Sequence, residues 1–252
     1  MHFRRHLVVA ATACTLLAGF VPVSETAAYT KKVPILMYHR VAPTIDKGSA
    51  YPNLVVTPSV FESQMKALKA GGWKSLTARQ VYERLARKQG IPSKTVVITF
   101  DDGRDDGYDY AWPIMQKYGF VGTFYVVTGR INRDKYLSQA ELVTLATAGN
   151  EIANHTYSHI SMSAKTYAVG RAELKKANDT IQKITGIRPI GLAYPYGHVD
   201  SDALRAAKAE GIEFATTTVN KVVTVGMSLL EVPRVRVNRG DTAKRLLYAM
   251  SR

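Results

Sequence analysis

The segment Thr95-Val96-Val97-Ile98-Thr99-Phe100-Asp101-Asp102-Gly103 decides how the rest of the chain is read. Thr95–Phe100 is β-branched or aromatic and uncharged, the composition of a buried strand, and it runs directly into two carboxylates and a glycine. Outward from it, similar apolar runs recur at Val33–Val41, Gly122–Thr128, Glu151–Asn154, Pro189–Pro195, Phe214–Thr218 and Pro233–Val237. Helical patterns fall between most of them. Thr57-Pro58 supplies an N-cap and a first-turn proline, after which Phe61, Met65 and Leu68 recur at helical spacing until Gly71-Gly72. Thr77 with Gln80, and Ser138 with Glu141, have capping-box spacing. Further helices are expected up to Gly119, over much of Lys165–Thr185, from Asp200 to Gly211, and over Thr242–Met250. Alternating strands and helices specify an α/β fold with a parallel sheet, open or closed into a barrel, and no linker or repeat divides it. In such folds catalytic residues collect at the C-terminal ends of the strands.

Two motifs sit at such ends. Asp101-Asp102-Gly103 follows one strand; its carboxylates can diverge, one toward a cation and one toward a reacting water, although Asp-Asp-Gly is also ordinary turn chemistry. His155-Thr156-Tyr157-Ser158-His159 follows Glu151–Asn154, and two histidines four apart can turn both rings to one side, where they could share a cation. Either motif alone has a bland alternative. On one sheet they reach the same face, so that Asp102, His155 and His159 form a three-ligand site with positions left for water, and Asp101 stands beside it as a general base.

Composition narrows the chemistry. Arg4 and Arg5, the apolar Leu7–Phe20 and the small residues Thr26-Ala27-Ala28 read as a secretory signal over residues 1–28, with residues 29–252 as the exported domain. A retained anchor, or a lipid attached at Cys14, is the alternative. Cys14 is the one cysteine, so removal of the signal leaves no thiol, and any metal must rest on histidine and carboxylate. The net charge of +14 draws the protein toward anionic surfaces such as cell-wall polymers or lipid headgroups, if it does more than keep the chain soluble. No dense basic run with interleaved aromatics is present, so nucleic acid is not an expected partner. A monomer, secreted or held at the cell surface, is the expectation.

Thr99-Phe100-Asp101-Asp102-Gly103, then His155 to His159, then Ala193-Tyr194-Pro195-Tyr196-Gly197 resemble the polysaccharide deacetylases of carbohydrate esterase family four, which carry the NodB homology domain. Leu36-Met37-Tyr38-His39-Arg40-Val41 and the form of the Tyr-Pro-Tyr-Gly segment are similar to the poly-N-acetylglucosamine deacetylase branch. The resemblance covers Val33 to Val237 and implies a single-domain distorted (β/α) barrel of about seven parallel strands, with a permuted order left open. It implies hydrolysis of N-acetyl groups on a cell-surface polysaccharide containing N-acetylglucosamine, with Asp101 as base and Asp102, His155 and His159 holding a divalent metal. Zn²⁺ is the default, and Co²⁺ or Ni²⁺ also suits the ligand set. Tyr196 would give a backbone N–H to the oxyanion, and Pro195 would shape that turn. An acetyl-ester hydrolase with the same site and a weakly active glycan-binding scaffold are the other readings.

The sequence departs from the common family pattern. Ala193 stands where many members have an arginine that orients the base, Phe214–Thr218 lacks the usual Asp-Trp pair, and no histidine follows His198. In a closed barrel the first and last strands are neighbours. His39, at the end of the first run, is therefore expected as the general acid, with His198 as the competitor. Arg234 or Arg236 could replace the missing arginine, unless both are simply surface charge.

Overall fold

A computed structural model describes residues 29–48 and 50–252; residues 1–28, read above as a secretory signal, and Cys14 within them lie outside the described residues. Seven strands carry the architecture: β1 (Ile35–Tyr38), β2 (Thr95–Phe100), β3 (Thr123–Val126), β4 (Glu151–Asn154), β5 (Gly191–Ala193), β6 (Phe214–Asn220) and β7 (Val232–Arg236). All neighbours pair in parallel in the order β1-β7-β6-β5-β4-β3-β2, and β1 pairs back onto β2, closing a barrel. Helices α1 (Pro58–Ala70), α2 (Ala78–Ala86), α3 (Trp112–Tyr118), α4 (Gln139–Thr147), α5 (Tyr167–Thr185), α6 (Ser201–Ala209) and α7 (Ala243–Met250) accompany the strands. The expected caps form: Thr57 accepts from the Val60 amide, Thr77 and Ser138 close capping boxes with Gln80 and Glu141, and Asp200 accepts from the Ala203 amide.

Two expectations need adjustment. The first run is not one strand. Beyond Pro34 and His39 it breaks into Lys32–Val33, β1 and Arg40–Val41, and the flanking pieces pair outside the barrel with Val223–Thr224 and Val55–Val56. Proline has no N–H to give to a ladder, which accounts for the first break. The second adjustment is that β6 passes to β7 without a helix, through a segment whose Val223–Thr224 strand returns to Lys32–Val33.

The strand period of two sorts side chains to two environments. Outward residues Leu36, Tyr38, Ile98, Phe100, Phe124, Val126 and Val235 pack under the helices in the main apolar core. There Phe100 stacks on Phe124 at 4.9 Å and Tyr38 meets Phe61 edge-on at 5.1 Å, pairs worth about 0.5–1.5 kcal/mol beyond their area. Alternate residues enter the barrel, where Ile35, Val97, Phe214 and Val232 close one end. The inward series then continues to polar groups: Thr99 on β2 and Asp101 just after it, Tyr125 on β3, Arg234 on β7. Tyr38 lies opposite Phe100, so His39 and Asp101 leave their strands together; Phe100 lies opposite Phe124 and Asn154 opposite Val126, so His155 leaves its strand two residues farther along at the same C-terminal mouth.

Candidate active site

Asp101 is buried, and its position is fixed from across the barrel. Arg234, fully buried, donates to both carboxylate oxygens at 2.7 Å, to Thr99 Oγ1 at 3.1 Å and to the Thr217 carbonyl at 3.0 Å. Burial alone would push the Asp101 carboxyl up, but the Arg234 charge and its paired hydrogen bonds outweigh that and hold it below the ordinary carboxylate value. Arg234 rather than Arg236 thus stands where the sequence left a choice. Arg236, two residues on, lines the open cavity instead.

Asp102 turns the other way because its backbone is left-handed, φ 74°, and Gly103 follows at φ 68°. Its Oδ1 lies 3.5 Å from His155 Nε2 and 3.2 Å from His159 Nε2, and the three donor atoms fall within 4.8 Å of one another. Tetrahedral ligands about 2.0–2.1 Å from a zinc ion are about 3.4 Å apart, so these separations fit a single divalent ion. The rings are set for it. His155 Nδ1 lies 2.7 Å from the Ala193 carbonyl; with the ring N–H donated there, Nε2 is left to offer its lone pair to an ion. Ala193 therefore orients the His155 ring through its backbone, while Arg234 reaches Asp101 in its place. Burial raises the Asp102 carboxyl, yet His155 and His159 beside it hold it well below the ordinary value.

Backbone strain gathers here. Asp102, Thr156, His159 and Tyr196 all have positive φ, between 62° and 74°, a conformation costing on the order of 1–3 kcal/mol for a non-glycine residue. Local bonds support it: Asn154 Oδ1 accepts from the Thr156 amide at 2.6 Å, and Thr156 Oγ1 accepts from the His159 amide at 2.9 Å.

His39 follows β1, with Nε2 3.9 Å from Asp101 Oδ2 and Nδ1 buried without a hydrogen-bond partner among the described residues. Burial pushes its pKa below the ordinary histidine value, against the opposing pull of Asp101 and Asp102. The residues around His39 are clamped in a way the sequence reading missed. Arg40 Nε donates to Asp106 Oδ2 at 2.6 Å, the Val41 amide donates to Asp106 Oδ1 at 3.3 Å, and Arg40 also reaches Asp46 at 2.8 Å. The Asp105-Asp106 pair behind Arg104 was the available signal. His198 sits on the rim, 3.4 Å from Ser161 Oγ, with its ring tilted over Tyr196 at 6.4 Å.

Pro195 is buried and opens the turn in which Tyr196 (φ 63°) and Gly197 (φ 77°) reverse the chain. A Cβ on Gly197 would come within 2.1 Å of Thr218 Oγ1, so only glycine fits. The Tyr196 ring is half exposed and meets His159 edge-on at 4.9 Å. Together His39, Asp101, Asp102, His155, His159, Tyr196 and His198 line a cavity of about 570 Å³, closed on one side by Tyr51–Leu54.

The sequence profile described as polysaccharide deacetylase matches residues 88–215, a span that includes Asp101, Asp102, His155, His159 and Tyr196. The chain belongs to the polysaccharide deacetylase family. This deacetylase is 31% identical to a polysaccharide deacetylase from Bacillus cereus, with a TM-score of 0.77, over 87% of this chain and 69% of the other. A Streptococcus pyogenes deacetylase solved in complex with acetate superposes with a TM-score of 0.82 at 28% identity, covering 88% and 99% of the two chains. A poly-beta-1,6-N-acetyl-D-glucosamine N-deacetylase from Staphylococcus epidermidis is 28% identical over 200 residues, 74% of this deacetylase and 69% of the relative. The deacetylase is a hydrolase of this family, and its possible metal donors are the Asp102, His155 and His159 set.

Proposed function

We propose that the protein removes N-acetyl groups from an N-acetylglucosamine-containing cell-surface polysaccharide, releasing acetate, with a divalent metal held by Asp102, His155 and His159. The observation that carries this reading is the convergence of that donor set with an Asp101 carboxylate locked by Arg234 at the floor of one open cavity. The Staphylococcus epidermidis relative supports the substrate class. Zn²⁺, or Co²⁺ or Ni²⁺ in the same ligands, would supply Lewis acidity toward the acetyl carbonyl and water.

The chain's own groups divide the rest. Asp101 accepts the proton of the attacking water; Arg234 occupies one lone pair on each of its oxygens, and a carboxylate has others to offer. The backbone N–H of Tyr196 is assigned to the carbonyl oxygen as charge develops there, a donor worth about 3 kcal/mol. His39 delivers a proton to the departing nitrogen. Its lowered pKa makes the resting imidazole neutral and the imidazolium a strong donor, so it is loaded during turnover, and Asp101 at 3.9 Å is the nearest source. An amide needs this donor more than an ester does, because an amine anion is a poor leaving group. Export through residues 1–28, and action at or outside the cell surface, complete the proposal.

Paired acetate-release assays on an N-acetylglucosamine oligomer and an O-acetylated xylan oligomer test the reaction class. Turnover of the amide is the expected result; turnover of the ester with the amide untouched overturns it.

A further inference from the structure

The catalytic cavity does not end at its rim. Arg236 and Asn238 line both that cavity and a smaller recess of about 110 Å³ floored by Leu246 and Ala249. Asn220, Arg245 and Ala249 line that recess and also a third, of about 330 Å³, which continues past Lys221 to Tyr248. Sharing these residues, the three recesses lie side by side from the catalytic cavity past Arg236 to α7, and together they form a stepped trough.

Its charge is one-sided. Among the described residues that line the two outer recesses Asp241 has the one acidic side chain, and it is already engaged: Oδ1 lies 2.8 Å from Arg245 Nε, and Oδ2 accepts from the Asn238 amide at 2.7 Å. The side chains of Arg236 and Lys221 have no carboxylate within 4.0 Å among the described residues. The Arg236 backbone is anchored, its amide donating to Asn220 Oδ1 at 3.0 Å, so this cation is presented from a fixed strand position.

Resting on the reading of the cavity as a polysaccharide N-deacetylase site, we propose that the trough is a subsite for an anionic substituent of the substrate polymer, a carboxylate or phosphate carried by a sugar flanking the acetamide-bearing one. Arg236 meets that group nearest the reacting sugar and Lys221 farther out. Hydrolysis leaves an ammonium on the strand, and the same cations disfavour its passage along the trough. A reacted sugar therefore leaves rather than slides.

The test compares one glycan backbone in three forms: peptide-free peptidoglycan strands with lactyl carboxylates intact, the same strands with the carboxylates reduced to alcohols, and the reduced strands phosphorylated. Binding to Asp101→Asn protein is measured by calorimetry, which does not require turnover, and kcat/KM is measured on wild type. The carboxylate strand, the phosphorylated strand or both should bind at least about tenfold tighter than the reduced strand at low salt. That ratio should shrink toward one near 1 M salt, where screening falls to about 3 Å. It should shrink likewise in Arg236→Gln and Lys221→Gln. Equal binding of all three forms, or a preference untouched by both substitutions, overturns the subsite. Selective binding with no acetate released from any strand would instead count against the deacetylase reading and leave the subsite standing.

Discussion

Arg234→Met is the substitution that exposes most of the reasoning. The guanidinium is fully buried and makes paired 2.7 Å bonds to Asp101, which is itself 2% exposed. Removing one partner of such a pair strands the other charge, at a cost of about 3–5 kcal/mol. For a chain of this size each kcal/mol moves the melting point by roughly 2–4 °C, so a fall of roughly 6–20 °C is expected. The pH dependence has a definite sign. In the wild type the Asp101 pKa is depressed, so its contribution is present above the unfolded value of about 3.9 and is lost as pH falls through the folded value. Without Arg234 burial dominates and the folded pKa rises above the unfolded one. The variant's deficit is then largest at neutral pH and narrows toward pH 4. Asp101→Asn combined with Arg234→Met removes both charges and should recover much of the loss. Thermal unfolding from pH 4 to 8, with chelator present throughout, reads all three proteins. A deficit below about 1 kcal/mol, or a double variant as unstable as the sum of the singles, refutes the assignment.

Other substitutions separate the remaining roles. His39→Ala should keep the fold and the metal yet slow amide hydrolysis by about 10²- to 10⁴-fold, with a much smaller effect on an activated acetyl ester; a larger loss in His198→Ala would move the acid to the rim. Gly197→Ala should impair turnover, because its Cβ would fall 2.1 Å from Thr218 Oγ1 and displace the Tyr196 turn; wild-type kinetics would show that the turn is not used. Asp106→Asn weakens the clamp on Arg40 and should lower kcat on amide more than it raises KM, whereas a purely thermal effect would deny it any part in positioning His39.

Much of this site was legible because its residues come in short motifs at strand ends. The uncharged Thr95–Phe100 run leads straight to Asp101 and Asp102, and the short strand before His155 sets both histidines on the same mouth. What a linear reading lacks is register around a closed barrel. Arg234 and Arg236 share a face of β7; the pairing of β7 with β1, and of β1 with β2, sets Arg236 at the level of Thr99 and Arg234 two residues below it, so that the Arg234 side chain runs up the barrel interior to Asp101 while Arg236 opens into the cavity. The break of the first run at His39 was equally hidden, since Leu36–Val41 is apolar enough to read as one strand. The Asp106 clamp joins side chains 66 positions apart in sequence, and no periodicity signals such a contact. The wall at Tyr51–Leu54 comes from a loop whose composition says nothing about where it folds back.

The most direct measurement of the central claim is acetate release from an N-acetylglucosamine oligomer before chelation, after it, and after Zn²⁺ is returned. The account predicts activity, then loss to background, then recovery, with Asp102→Ala unable to recover at the same Zn²⁺ concentration. Undiminished turnover by the metal-free wild type would contradict it.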